Sequence, residues 1–209
     1  MYSYQTLIHY RKPISDEPDV GFCLPKLPPL ERSKVNFGEI YLLRHEQRGA
    51  DTSYESSLTP HGLFNSETTV CSELEKLNIR VIYCSPFKRT LQTIRPFCLK
   101  YGLKVNLEWA LIESIPDDPK ILDEFDNIIN KKYIPYIPAP KPPKKIINWE
   151  TLKERTNNFV KSLRGKTNVL LVTHMPVINA ILNNNGLSTM SMFTTHNTGA
   201  IIQVPRPKY

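Results

Sequence analysis

No apolar run in this 209-residue chain is long enough to cross a bilayer as a helix. Met1 to Lys12 lack the apolar core of a secretory leader. The four cysteines, Cys23, Cys71, Cys84 and Cys98, show no metal-type pairing, so a zinc-stapled scaffold is excluded. They read instead as buried free thiols, which fits a reducing, cytoplasmic setting. No group of residues has metal-ligand spacing, and no internal repeat is present. Acidic residues are outnumbered, 20 against 27 lysines and arginines, and the net charge of +7 favours anionic partners. Lysines cluster at Lys131, Lys132, Lys141, Lys144 and Lys145, but no aromatic-and-basic recognition motif accompanies them, so a nucleic-acid partner is not expected.

What the chain does have is three short apolar runs that each lead into basic residues. They are Ile40-Tyr41-Leu42-Leu43-Arg44-His45, Val81-Ile82-Tyr83-Cys84 followed by Ser85-Pro86-Phe87-Lys88-Arg89, and Val169-Leu170-Leu171-Val172-Thr173-His174. Their composition is that of strands buried on both faces of a parallel sheet. Ligands of such sheets sit beyond the carboxyl ends of the strands. Two histidines and two arginines are therefore expected at one sheet edge.

Helices are predicted over His61–Leu77, from Pro86 to Tyr101, over Trp149–Leu163 and over Pro176–Leu182. Ser85 is the expected N-cap of the second, with Pro86 at its first position. Val105–Leu107 and Ala200–Val204 read as short strands, and Asp118–Lys131 as a further helix. Residues 1–37 form a proline-rich extended arm with an edge strand near Thr6 to Tyr10, and 38–209 form the main domain. An insertion at about 116–148 carries Pro135, Pro138, Pro140, Pro142 and Pro143 among Tyr133, Tyr136 and several lysines. It is either a polyproline-like linker or a basic lid.

The order of these pieces resembles the histidine phosphatase superfamily, also called phosphoglycerate mutase-like, over roughly residues 38–205. Arg44-His45, Ser85-Pro86-x-x-Arg89 and Thr173-His174 carry the likeness. Leu58-Thr59-Pro60-His61-Gly62 resembles the family's Leu-Thr-x-x-Gly element, and Arg89-Thr90-Leu91-Gln92-Thr93 its Arg-x-x-x-Thr helix. Glu108-Trp109-Ala110-Leu111-Ile112-Glu113 resembles the segment with its acidic catalyst. Two family glycines are replaced, by Glu46 after the first histidine and by Met175 after the second. The resemblance implies an α/β three-layer sandwich, a mostly parallel central sheet with helices on both faces. It also implies a phosphorylated substrate and no metal or cofactor.

In that frame His45 is the candidate nucleophile, at a strand end facing solvent, kept neutral by Arg44 and Arg89 so that a ring nitrogen can attack phosphorus. Arg44 and Arg89 are candidate phosphate clamps, because guanidinium forks fit paired phosphate oxygens. Arg48 is a third, or else a solvated surface arginine. His174 is expected to hold an equatorial oxygen. Glu113 is the candidate general acid, with Glu108 and Glu46 as rivals. Lys88 reads as surface charge, His61 and His196 as surface or capping residues, and His9 carries no argument. The expected function is hydrolysis of a phosphomonoester through a phosphohistidine on His45. The alternatives are a catalytically impaired binding module on the same scaffold and a phosphomutase. The glycolytic mutases' motif after the first histidine is absent, since Gln47 to Leu58 is short and polar.

Overall fold

The computed structural model describes residues 38–116, 118–140, 148–163, 167–186 and 197–204. The expected arm and its edge strand, His9, Cys23, His196 and Lys141, Lys144 and Lys145 lie outside these residues.

All three apolar runs form strands. β1 (Ile40–Arg44), β2 (Val81–Cys84) and β4 (Val169–Thr173) are joined by β3 (Val105–Leu107) and β5 (Ile201–Val204). The five strands lie in the order β3-β2-β4-β1-β5. The β1–β4, β2–β4 and β2–β3 pairs are parallel, and only β5 runs antiparallel, against β1. β4 is fully buried between β1 and β2, with Leu43 level with Val172 and Cys84 level with Val172 on the other side. The last residues of β1, β2 and β4 thus leave the sheet side by side.

Side-chain alternation sorts each strand between two cores. Tyr41, Leu43, Ile82, Cys84, Leu170 and Val172 face a core that also holds Leu74, Leu91, Ile94 and Phe97. Those residues come from α2 (Cys71–Glu75) and α3 (Lys88–Tyr101). Ile40, Leu42, Val169 and Leu171 face Leu152, Phe159, Ile178 and Ile181, from α4 (Trp149–Ser162) and α5 (Met175–Asn184). This is the expected three-layer α/β sandwich.

The helix predicted over His61–Leu77 is α1 (Pro60–Asn65), a π-helical stretch Ser66–Val70, and α2. Thr59 caps α1, its Oγ1 accepting from the Gly62 amide at 3.1 Å. A Cβ on Gly62 would lie 2.3 Å from the Gln47 carbonyl oxygen. The glycine therefore lets α1 rest on the backbone just past His45, which is the physical content of Leu58-Thr59-x-x-Gly62.

Two expected elements differ. α3 begins at Lys88 with Phe87 as its N-cap, not at Pro86, and Ser85 does not cap it. Asp118–Lys131 is not a helix. It contains one 3-10 turn, Asp123–Phe125, after which Ile129 bridges in parallel to Val105 at the sheet edge.

Candidate active site

β1 ends in Arg44 and His45. The His45 amide donates to the Thr173 carbonyl at 3.0 Å, and the Ser85 amide to Val172 at 2.9 Å, so the three strand ends are stitched together past the sheet. The Gly199 amide reaches the Arg44 and His45 carbonyls at 3.1 and 3.3 Å. Gly199 does so at a φ of 66°, a left-handed conformation that suits glycine.

His45 does not face solvent as expected. It is 4% exposed. Its Nδ1 lies 2.7 Å from the Glu46 carbonyl oxygen, an acceptor only, so Nδ1 carries the proton and Nε2 is left with its lone pair. Burial first, then neighbouring His174, pushes the His45 pKa down to about 2. Arg89 contributes less, so desolvation rather than arginine charge keeps the ring neutral. The Glu46 amide donates to Thr93 Oγ1 at 2.9 Å, and Thr93 donates to the Arg89 carbonyl at 2.8 Å. The Arg89-x-x-x-Thr93 pattern thus ties the residue after His45 to α3.

His174 is fully buried at the end of β4, its ring 5.3 Å from that of His45. Its Nε2 is 2.9 Å from Ser85 Oγ. Its Nδ1 has no hydrogen-bond partner and lies 3.4 Å from Glu113 Oε1. Burial, followed by the charges of Arg89, Arg44, Arg48 and Arg155, holds its pKa well below the usual histidine value. Four guanidinium groups therefore raise the potential at this ring, as an anion site requires.

Arg89 is fully buried in the first turn of α3. Its Nη1 donates to the Ser53 carbonyl at 2.9 Å and its Nη2 to Glu113 Oε1 at 2.5 Å, while its guanidinium lies 4.4 Å over the Phe87 ring. Arg44 is half-buried. Desolvation lowers its pKa, Glu113 and Glu46 oppose that, and Arg48 adds to it, so these charges share one neighbourhood. The Arg48 Nη1 donates to the Gly49 and Asp51 carbonyls at 2.9 and 2.8 Å, organising its own loop.

Glu113 Oε1 thus lies within 2.5 Å of Arg89 Nη2 and 3.4 Å of His174 Nδ1. The segment that carries it is clamped at three points. Thr173 Oγ1 donates to the Leu111 carbonyl at 2.7 Å, Arg155 Nη2 to the Ile112 carbonyl at 2.5 Å, and Glu108 accepts from the Ala110 amide at 2.9 Å. Glu108, the rival acid, is fully buried and spends its oxygens on structure. It also accepts from Tyr133 Oη at 2.7 Å and from the Tyr136 and Ile137 amides at 2.8 and 3.1 Å. Buried Glu46 accepts from the Gln47 amide at 3.1 Å. His61 on α1 contacts Asn65, and Lys88 pairs with Glu124 at 2.9 Å.

All six candidates, Arg44, His45, Arg48, Arg89, Glu113 and His174, gather at the carboxyl edge of the sheet. The sequence reading missed Ser85 as a partner of His174 and Arg155 as a clamp on Ile112. Ser85 stood in a recognised motif, but α4 offers no local signal for Arg155. Among the described residues, no group of three or more His, Cys, Asp or Glu is placed to hold a metal, and no helix is long and apolar enough to cross a membrane.

Residues 40–205 match the family model described as histidine phosphatase superfamily, branch 1. No curated protein sequence matches significantly. Solved structures share the fold at low identity. An ecdysone phosphate phosphatase from Bombix mori in complex with tungstate superposes with a TM-score of 0.56 at 14% identity, covering 78% of this chain and 87% of that one. A mycobacterial glucosyl-3-phosphoglycerate phosphatase with inorganic phosphate gives 0.56 at 16%, covering 79% and 88%. A putative phosphohistidine phosphatase from Agrobacterium tumefaciens gives 0.53 at 13%, covering 80% and 91%.

Proposed function

This chain belongs to the histidine phosphatase superfamily, and from that premise we propose that it hydrolyses a phosphomonoester through a phosphohistidine on His45. The observation that carries the reading is the convergence on one carboxylate oxygen. Glu113 Oε1 is reached by a buried arginine and faces the open nitrogen of a buried histidine, beside a second histidine whose Nε2 keeps its lone pair. A position that holds a carboxylate oxygen between such groups suits a phosphoryl oxygen equally.

In the first step His45 Nε2 attacks phosphorus while the ester P–O bond breaks. Arg44 and Arg89 hold the non-bridging oxygens, and His174 Nδ1 stabilises the charge that builds on one of them. The incoming phosphoryl group takes over Arg89 and releases the Glu113 carboxylate, which takes up a proton from solvent and gives it to the leaving oxygen. In the second step the Glu113 carboxylate accepts a proton from water as that water attacks phosphorus. The P–N bond breaks and inorganic phosphate leaves, and Glu113 passes its proton to solvent as it pairs with Arg89 again. Arg48 shapes the rim through its loop. No step calls on a metal.

Turnover of an aryl phosphate in the presence of a chelator tests this reading. Wild-type protein is expected to release phosphate, and His45→Ala to release none above background. Phosphate or tungstate binding without wild-type turnover would instead make the chain a binding module on a phosphatase scaffold.

A further inference from the structure

We infer that Ser85 is a positioning residue, its hydroxyl donating to His174 Nε2 so that the ring presents an N–H from Nδ1 to the phosphoryl group. Geometry leads to this direction of donation from two sides. Ser85 is fully buried, and His174 Nε2 at 2.9 Å is the hydrogen-bond partner the structure gives its hydroxyl. A buried hydroxyl that accepted there would leave its own proton unsatisfied, at a cost comparable to a lost hydrogen bond. On the far side of the ring, Nδ1 faces Glu113 Oε1 at 3.4 Å. The two atoms form no hydrogen bond, but Glu113 is the carboxylate partner of Arg89, so a lone pair on Nδ1 would be repelled by its oxygen whereas an Nδ1 proton is attracted to it. Both ends of the ring therefore select the same tautomer.

The consequence for chemistry rests on the phosphatase reading. His45 and His174 both carry their proton on Nδ1 but use it oppositely. His45 spends it on the Glu46 carbonyl and keeps Nε2 for attack. His174 spends Nε2 on Ser85 and keeps the Nδ1 proton for the transferring group. With the other tautomer, His174 would set a lone pair against a phosphoryl oxygen and oppose the transfer it sits beside. Ser85 is itself fixed by the bond from its amide to Val172 at 2.9 Å and by Thr90 Oγ1 on its carbonyl at 2.6 Å, so its hydroxyl is held at the β2 end.

The test is a nuclear magnetic resonance measurement on the full chain with isotopically labelled histidine ring nitrogens. The His174 signals are assigned by their loss in His174→Gln. The expected result is a protonated Nδ1 and an unprotonated Nε2 on His174 near neutral pH. Ser85→Ala should lose this fixed tautomer and lower kcat for an aryl phosphate by about 10-fold to 100-fold, the loss typical of an orienting partner, with KM changing far less. Ser85→Thr keeps the donor and should restore both tautomer and rate. A wild-type proton on Nε2 overturns the inference, as does a Ser85→Ala protein with unchanged tautomer and kcat. The wild-type tautomer decides the matter even where a variant folds poorly. The expected tautomer in a wild-type protein without turnover upholds Ser85's role on the ring and counts against the phosphatase reading alone.

Discussion

Each histidine of the pair is neutral for a reason that acid can reverse. Burial depresses both pKa values, that of His45 to about 2 from 6.5. Above pH 6.5 folded and unfolded chains both hold neutral rings, so neither histidine makes stability depend on pH. As pH falls below that value, the unfolded chain binds protons that the folded chain refuses, so unfolding becomes easier. Each histidine contributes a slope approaching about 1.4 kcal/mol per pH unit. His45→Gln should therefore flatten the dependence of stability on pH between about pH 6 and pH 5, measurable by urea unfolding. Because His45 is buried, His45→Ala should also destabilise the fold by about 1–3 kcal/mol, while removing turnover by several orders of magnitude. Parallel melting curves and rate assays check both. The pair itself was legible in Arg44-His45 and Thr173-His174, since strand ends show in the apolar runs. The burial of His45 was not, because the groups packed on it or tied to its backbone, Thr173, His174 and Gly199, come from distant parts of the chain. Glu108, Ser85 and Arg155 owe their roles to partners 25 to 89 positions away, which no local pattern reports.

The insertion is the element whose structure departs most from its sequence. Leu122, Phe125, Ile128 and Ile129 are spaced as on a helix, and all four are buried in one core. The backbone nonetheless goes elsewhere. Val105 and its neighbours offer an open sheet edge, and the Val105 amide donates to Ile128 at 2.8 Å while the Asn130 amide donates to Val105 at 2.9 Å. Tertiary pairing overrides the periodicity. The two halves of the segment also part company. Near the site, Tyr54 Oη donates to the Lys120 carbonyl, Lys120 pairs with Glu55, and Glu124 pairs with Lys88 beside Arg89. Farther along, Tyr133 is held by Glu108 and packs edge-on against Tyr83 at 5.6 Å. Substrate discrimination is thus proposed to lie with Lys120 to Glu124 rather than with Tyr133. Replacing Lys120 and Glu124 by alanine should reorder a panel of phosphorylated compounds and leave a small aryl phosphate nearly unaffected. Unchanged ranking would make the segment a linker. Glu108→Ala strips acceptors from Tyr133, Tyr136 and Ile137, and should cost about 2–4 kcal/mol. Faster amide exchange at Tyr136 and Ile137 would mark where the segment lets go.

Across the whole molecule, the parallel sheet explains why so much was readable. β1 and β4 are buried on both faces and β2 on one, with Val81 and Tyr83 half-buried on the other, so their composition announces them, and parallel pairing brings their ends to one edge. Neither the strand order nor the antiparallel β5 is written in any single segment. The edge gathers positive charge, so an oxyanion that binds only the folded chain should raise its melting temperature by mass action. Arg89→Ala should remove most of that shift. It should also cost about 3 kcal/mol, since Glu113 loses the partner that holds it. The covalent bond to His45 is the step on which the proposed chemistry depends. The most direct measurement is rapid quenching of wild-type protein during aryl phosphate turnover, at alkaline pH where phosphoramidates survive, followed by mass spectrometry of the peptide containing Arg44 and His45. One phosphoryl group is expected on His45, absent from His45→Ala and accumulating in Glu113→Gln when an aryl leaving group needs little acid help. Full turnover with no phosphoryl group on His45 at any quench time would contradict the proposed chemistry.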